Sequence, residues 1–106
     1  MRLLLAATRS EKGAIAANAD AHLEHLRAAS AAACDLATFP EMSLTGSVDP
    51  VRHPERAVAL DDPAVLAVAR ATGDLGVAAL FGIGERRDGE HFITQVHAAD
   101  GLIVGV

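Results

Sequence analysis

The stretch of sequence that decides the fold lies at residues 35–46 and reads DLATFPEMSLTG. Its first part, from Leu36 to Phe39, is short and apolar, which is typical of a buried strand. Pro40 ends that strand, because proline has no N–H to donate to a sheet. Glu41 therefore follows the carboxyl end of a buried strand directly, and open α/β sheets bind their ligands at this edge.

The residues before this stretch predict a strand and a helix. Leu3 to Thr8 is apolar and is followed by a polar run at residues 9–13, as expected for a buried strand and its loop. Gly13 to Ala33 is rich in alanine, the best helix former, and Asn18 lies off its apolar stripe. The stripe expected to face the sheet, at spacings of three and four, consists of Ile15, Ala19, Leu23, Leu26, Ser30 and Ala33.

The residues after the stretch predict a second helix and three more strands. Residues 41–53 are irregular, with proline and glycine as punctuation. Asp62 and Pro63 suit the start of a helix, as cap and first residue, and the helix continues to about Gly73. The expected strands are Val77–Ile83, Phe92–Ala98 and Leu102–Val106, with turns at Arg86–Gly89 and at Asp100–Gly101.

The predicted order of elements is β-α-β-α-β-β-β, which indicates an α/β fold with a mixed sheet. Parallel neighbours need right-handed crossovers, so we expect both helices on one face of the sheet. The segment Leu102–Val106 is apolar and has no polar tail, whereas natural domains usually cover such a strand. The sequence thus predicts an apparently truncated fold whose other sheet face stands open.

Composition limits the classes of function. The chain has 106 residues, so one domain is the ceiling, and 51% of them are hydrophobic, which excludes a disordered chain. Acidic residues outnumber Lys and Arg by 14 to 9, and three Phe are the only aromatic residues, so we expect no nucleic-acid partner. No apolar run approaches the roughly 18 residues of a membrane span, so we expect no membrane partner.

Cys34 is the only cysteine, which excludes an intramolecular disulfide and a thiolate zinc cluster. We interpret it as a small buried hydrophobe. A free thiol suits the reducing cytoplasm, and we expect a cytoplasmic protein. The apolar run at the start of the chain is about five residues long, shorter than the roughly 7–15 residues of a signal peptide.

Several segments, taken together and in this order, resemble the nitrilase (carbon–nitrogen hydrolase) superfamily. They are the first strand, the helix containing Asn18, DLATFPE at residues 35–41, LTG at 44–46, FGIGE at 81–85 and DGLIVG at 100–105. The F-P-E and T-G pieces at this spacing are the most specific. The resemblance implies the N-terminal half of an α-β-β-α sandwich, with residues 1–106 forming an incomplete carbon–nitrogen hydrolase domain.

The same resemblance implies a Glu–Lys–Cys mechanism in which Glu41 matches the catalytic glutamate. The family cysteine attacks the carbon of an amide or nitrile, the glutamate acts as general base, and the lysine stabilises the tetrahedral intermediate, without metal or cofactor. The physical logic agrees, because a thiol is mostly protonated at neutral pH and needs an adjacent base. A carboxylate partly shielded from water suits that task.

The other two members of the triad have no match in these residues. By resemblance the lysine follows the strand Leu102–Val106, and the cysteine lies further on. Lys12, the only lysine, and Cys34 match neither of them. Ser47 and Ile93 depart from the family pattern, which often has Tyr and Asn at those places.

The sequence therefore predicts the N-terminal part of a nitrilase-type amidohydrolase that is inactive as residues 1–106 alone. The full-length enzyme would act on a small-molecule amide or nitrile and would be a homo-oligomer. The alternative is a non-catalytic truncated remnant, or a fragment that folds only with a partner chain. No substrate-binding residue is predicted.

Three weaker candidates for chemistry remain. His22 and His25 are three apart on a helix, but a metal site needs further ligands, so we favour one solvated histidine and one at the margin of the core. The run at residues 82–84 lacks the third glycine of a dinucleotide loop and is interpreted as a strand end. His53, with the neighbouring Arg52 and Arg56, could bind an anion beside Glu41, although a charged solvated loop is favoured.

Overall fold

A computed structural model describes residues 1–106 and contains five strands and two α-helices. The strands are β1 (Leu3–Leu5), β2 (Leu36–Thr38), β3 (Ala78–Arg87), β4 (Glu90–Ala99) and β5 (Leu102–Gly105). The helices are α1 (Ile15–Ala31) and α2 (Pro63–Leu75), and a short 3-10 helix spans Pro54–Arg56. The predicted order of elements is confirmed.

All five strands belong to one sheet, in the spatial order β1-β2-β3-β4-β5. The first three are parallel to their neighbours, and each parallel pair is joined by one of the helices. The last three are antiparallel and are joined by tight turns. The mixed α/β sheet is therefore as predicted.

Both helices cover the same face of the sheet. Ala37, Ala79 and Ala98 lie side by side on that face and are fully buried. Their small side chains allow the helices to come close, and Leu26 and Phe81 fill the space between the layers. The opposite side of the sheet, which we term the open face, carries apolar side chains that are 51–76% exposed, namely Leu3, Leu5, Ile93, Leu102 and Val104.

The hairpin of β3 and β4 is longer than predicted. Arg86 and Arg87, expected in a turn, continue β3 and pair with the start of β4. The turn itself is only Asp88 and Gly89, which have φ of 52° and 77°. Two residues with positive φ form the kind of turn whose twist matches the flanking strands, so the ladder extends to its edge.

The other limits shift by a few residues. β1 ends at Leu5 rather than at Thr8, although the Ala6 N–H still donates to the Thr38 carbonyl at 2.9 Å. α2 extends past Gly73 and ends at Leu75. Gly76 follows it, with a φ of 68°, the left-handed conformation of a C-terminal cap.

The buried side of α1 differs from the predicted stripe. Asn18 and His22 are buried together with Ala19, Leu26 and Ala29. Leu23, expected to face the sheet, is half-buried and lines a cavity between the two helices. The polar residues are tolerated in the core because hydrogen bonds satisfy them there. No helix in the structure combines the length and the hydrophobicity that crossing a membrane requires.

Candidate active site

Glu41 stands three residues beyond Thr38, the last residue of β2, at the sheet edge predicted from the sequence. Its side chain is exposed, whereas the sequence suggested partial shielding from water. None of the four cavities in the structure is lined by Glu41. Within residues 1–106 the carboxylate is therefore presented to solvent and not enclosed in a pocket.

The segment that carries Glu41 is fixed to β3. We term residues 40–46 the Glu41 loop, and its second half, from Ser43 to Gly46, is buried. The Leu44 N–H donates to the Gly82 carbonyl at 2.8 Å, and the Gly84 N–H donates to Thr45 Oγ1 at 2.9 Å. Glu41 is thus an exposed carboxylate at the start of a loop whose backbone is held by the neighbouring strand.

Two glycines of β3 allow this close approach. A Cβ on Gly82 would collide with Met42 N and would lie 3.0 Å from the Glu41 carbonyl carbon. A Cβ on Gly84 would lie 3.0 Å from Val48 Cβ. The run at residues 82–84 is therefore not a strand end but the interior of β3, where glycine leaves room for another backbone.

His22 lies beneath the Glu41 loop and is completely buried. Its ring stacks on Phe39 with the centroids 4.3 Å apart, and it meets Phe81 edge-on at 6.1 Å. His22 Nε2 lies 2.8 Å from Ser43 Oγ, and His22 Nδ1 lies 2.6 Å from the Asn18 carbonyl oxygen. The sequence-based interpretation of a histidine at the core margin is wrong for His22, which lies in the core.

These partners determine the tautomer of His22. A carbonyl oxygen only accepts, so Nδ1 carries the hydrogen and donates to Asn18. Nε2 then accepts from the Ser43 hydroxyl, and Ser43 Oγ in turn accepts from the Gly82 N–H at 3.2 Å. A directed chain of hydrogen bonds joins β3 to α1 through Ser43 and His22.

Burial keeps His22 neutral. Desolvation lowers the pKa of its imidazole, the hydrogen bond to Asn18 opposes this, and the nearby His25 lowers the pKa further. A serine bonded to a histidine resembles a nucleophile with its base. Ser43 and His22 are only 1% and 0% exposed, however, so no substrate reaches them, and the pair serves to position the Glu41 loop.

His22 and His25, weighed as a metal pair and not favoured as one, do not share one environment. His25 is half-buried and its Nδ1 lies 2.8 Å from the Ala21 carbonyl oxygen, whereas both ring nitrogens of His22 are already engaged. The histidines therefore act in separate hydrogen bonds of α1.

Asn18 ties the first loop of the chain to the Glu41 loop. Its Nδ2 donates to the Glu11 carbonyl at 2.8 Å and to the Leu44 carbonyl at 3.0 Å, and its Oδ1 accepts from the Glu11 N–H at 3.1 Å. Helical spacing alone placed Asn18 off the buried stripe. A buried amide is explained here by three backbone partners, which periodicity does not reveal.

Neither Cys34 nor Lys12 is placed to complete a triad with Glu41. Cys34 is buried, as interpreted, and precedes β2, whereas Glu41 follows the other end of that strand. Lys12 packs its backbone against Gly46 and forms no ion pair with Glu41.

A second carboxylate, Glu85, is buried near the end of β3. It is 2% exposed and accepts a hydrogen bond from Thr94 Oγ1 at 2.7 Å. By its register in the sheet it lies on the helix-covered face, beside Val58. The FGIGE motif included this residue, but the sequence assigned no role to it.

The sequence profile of the carbon-nitrogen hydrolase family matches residues 5–101. This chain belongs to that family. The recognised resemblance is therefore confirmed, and the family is one of hydrolases that act on carbon–nitrogen bonds. No protein among the curated sequences is significantly similar to the chain.

Several solved structures share the fold of this chain. An amidase of the nitrilase superfamily from Nesterenkonia is 21% identical, with a TM-score of 0.82 over 99% of this chain and 41% of its own. A CN-hydrolase superfamily protein from Xanthomonas campestris is 23% identical, with a TM-score of 0.79 over 97% of this chain and 38% of its own. A glutamine-dependent NAD⁺ synthetase from Cytophaga hutchinsonii is 17% identical, with a TM-score of 0.78 over 99% of this chain and 18% of its own.

This carbon-nitrogen hydrolase chain thus spans less than half the length of the similar structures. At these identities the likeness establishes the α/β fold and its mixed sheet, and it carries no substrate or mechanism with it. The predicted fold class is confirmed.

Proposed function

We propose that this chain contributes Glu41 as the general base of a nitrilase-type amidohydrolase, which hydrolyses a non-peptide C–N bond of a small amide or nitrile. In this proposal residues 1–106 are the N-terminal portion of the catalytic domain. The lysine and cysteine of the triad lie in residues that follow Val106. The whole enzyme is a homo-oligomer and needs no metal or cofactor.

One observation carries the proposal: Glu41 is an exposed carboxylate on an immobilised loop at the carboxyl end of β2. Most exposed loop residues are held by little besides their neighbours in sequence. Here the loop is held because Ser43 Oγ and Thr45 Oγ1 accept hydrogen bonds from β3 and the Leu44 N–H donates one to it. A base must be held within hydrogen-bond reach of the proton that it removes, and a fixed backbone meets this requirement.

In the proposed reaction Glu41 takes the proton of the cysteine thiol. The thiolate attacks the amide carbon, the lysine stabilises the oxyanion, and the proton passes to the departing amine. Water then hydrolyses the thioester, and Glu41 takes a proton from the water and returns it to the departing thiolate, which restores the free cysteine. In a mutant of the similar amidase from Nesterenkonia, acrylamide adds to the active-site cysteine, which supports a cysteine nucleophile in this family.

The experiment is to replace Glu41 by Gln in the longer protein that contains this chain, and to measure ammonia release from simple amides. General-base catalysis contributes about 10²–10⁴-fold, so kcat should fall by that factor. Glu24→Gln is a matched control, because Glu24 is also exposed but lies on α1. Full activity in Glu41→Gln would contradict the assigned role.

A second candidate function is favoured by the open face, which exposes Leu5 and Leu102 at 76% and 67%. Such a surface suits a non-catalytic remnant, or a fragment that is stable only with a partner chain. The coding sequence after Val106 distinguishes the two candidates, because only the enzyme requires an in-frame lysine followed by a cysteine. An activity assay also distinguishes them, since the remnant would not hydrolyse an amide.

A further inference from the structure

A cleft of about 310 Å³ lies beside the end of the Glu41 loop. Three segments form its walls, and its lining is mostly polar: Lys12, residues 47–49, and Arg52, His53 and Arg56. Lys12, Arg52 and Arg56 contribute three permanent positive charges, and Asp49 contributes the only carboxylate. This concentration of cations is unexpected in a chain whose formal net charge is −5.

None of the three cations of the cleft lies within 4 Å of a carboxylate oxygen. The only contact of that length between a basic nitrogen and a carboxylate joins His53 Nδ1 to Glu55 Oε1 at 3.2 Å. Like charges gathered around one cleft repel each other unless an anion lies between them. The cleft therefore has an excess of positive charge that the protein itself does not neutralise.

The nearby carboxylates are committed to other partners. Asp49 Oδ1 accepts from the Val51 N–H at 2.9 Å and from the Arg52 N–H at 3.1 Å. The pKa of the Glu55 carboxyl is lowered, mainly by its own backbone N–H, then by His53 and by the charge of the nearby Arg56. Neither carboxylate forms a salt bridge with a cation of the cleft.

Arg56 is packed into the fold through its side chain, and Lys12 through its backbone. Arg56 is half-buried and packs over Gly13, where a Cβ would lie 2.9 Å from Arg56 Nε and 3.1 Å from Arg56 Cδ. The Lys12 backbone packs on Gly46, where a Cβ would lie 2.7 Å from Lys12 Cα. Gly13 and Gly46 have φ of 76° and 72°, which favours glycine at both contacts. This packing distinguishes the cleft from the solvated loop that the sequence favoured.

We propose that this cleft is an anion-binding site that takes a small ligand bearing a carboxylate or phosphate group. Arg52 and Arg56 each present a planar fork that fits two oxygens of such a group, and Lys12 adds a point charge. Val48 lines both this cleft and a cavity of about 180 Å³ that Met42 also lines, so a bound anion would lie next to the Glu41 loop. The proposal does not depend on the role of Glu41.

The experiment is a titration of the 106-residue chain with inorganic phosphate, and separately with succinate, at constant ionic strength. Constant ionic strength keeps the screening of exposed charges unchanged. Backbone amide signals of Lys12, Asp49 and Arg56 should shift together and saturate, with a Kd of about 1 mM or tighter. Saturation by phosphate alone, by succinate alone or by both would support the site and identify the group it prefers.

Variants of the arginines test the assignment of the ligands. Arg56→Gln should weaken binding at least about ten-fold, because it removes a charge-assisted hydrogen-bonding group. Arg52→Gln, at an exposed position, should weaken it similarly and covers the case in which Arg56→Gln disturbs the packing on Gly13. Arg27→Gln and Arg70→Gln are matched controls, since these arginines line a different cavity between the helices, and they should change the Kd less than two-fold.

Two results would overturn the proposal. One is the absence of saturation with both anions. The other is a set of shifts spread equally over Arg27, Arg70 and the cleft, with no selective loss in Arg52→Gln, because that pattern is unspecific charge attraction.

Discussion

His22 Nε2 lies 2.8 Å from Ser43 Oγ, in a part of the core where both side chains are almost completely closed to water. Ser43 also accepts from the Gly82 N–H, so one hydroxyl links α1, the Glu41 loop and β3. Because both groups are buried, each depends on the other for its hydrogen bond. Through this hydrogen bond, a histidine of the core helps to position the loop that carries Glu41.

Replacing His22 by Phe should loosen the Glu41 loop. Phe keeps a ring beside Phe39 but offers no acceptor to the buried Ser43 hydroxyl, which costs about 1–3 kcal/mol in the free energy of unfolding. Hydrogen exchange at the Gly82 amide should accelerate by more than the decrease in the free energy of unfolding of the whole chain explains. Urea unfolding and amide exchange by NMR measure the two effects.

The variant His22→Gln separates hydrogen bonding from packing. Gln loses the ring but keeps an oxygen that can accept from Ser43. If the hydrogen bond positions the loop, Gly82 exchanges more slowly in His22→Gln than in His22→Phe. The reverse order would mean that His22 acts only by filling space.

The stability of the chain should decrease as the pH falls below about 6.5. Burial lowers the pKa of His22 in the folded state below its ordinary value of 6.5, so the unfolded chain binds a proton first. The stabilising contribution is therefore complete above pH 6.5 and is lost as the pH falls toward the folded-state pKa. The slope from this one group is at most about 1.4 kcal/mol per pH unit.

The pH effect is measured as the difference between the native chain and His22→Phe, because carboxyl groups also titrate at low pH. The native chain should lose more stability than His22→Phe between pH 6.5 and the onset of carboxyl titration. Parallel curves for the two proteins over that range would show that His22 is not the responsible group.

Gly82→Ala should displace the Glu41 loop from β3. The added methyl group collides with the backbone of Met42, which cannot turn away as a side chain can. Overpacking of this kind costs about 1–3 kcal/mol in the free energy of unfolding. Gly105→Ala is the matched control, because a Cβ there meets nothing within 4 Å, and it should leave both stability and the amide signal of Glu41 nearly unchanged.

Much of this architecture could be predicted from the sequence, because the spacing of apolar residues indicates which positions are buried, and proline and glycine indicate where elements end and the chain turns. Pro40 ended β2, Asp62 and Pro63 began α2, and the order of elements gave the mixed sheet with its helices on one face. The position of Glu41 at a strand end followed from the same pattern. The observed ends of strands differ from the predicted ones where strand pairing extends beyond the apolar run, as at Arg86 and Arg87.

The supports of the candidate site could not be predicted in the same way. Helical spacing placed Asn18 off the buried stripe, and the sequence assigned one of His22 and His25 to the margin of the core. Only the distant partners Leu44 and Ser43 explain why Asn18 and His22 are buried. The glycines at 82 and 84 were a usable signal, since alternate glycines inside an apolar strand indicate that another backbone lies close. The exposure of Glu41 depends on what else covers this edge, and the local sequence does not contain that information.

Charged substitutions on the open face should make the isolated chain less prone to associate. Leu5 and Leu102 lie on the two edge strands and are 76% and 67% exposed, so Leu5→Lys and Leu102→Lys should lower dye binding and self-association. The free energy of unfolding should change by no more than about 0.5 kcal/mol, because neither side chain belongs to the core. Val51→Lys is the matched control, since Val51 is equally apolar and 89% exposed but lies in a loop away from the sheet. Fluorescence of a hydrophobic dye and sedimentation velocity measure the outcome. An equal effect of Val51→Lys, or no effect of the two leucine variants, would mean that the chain does not associate through its open face.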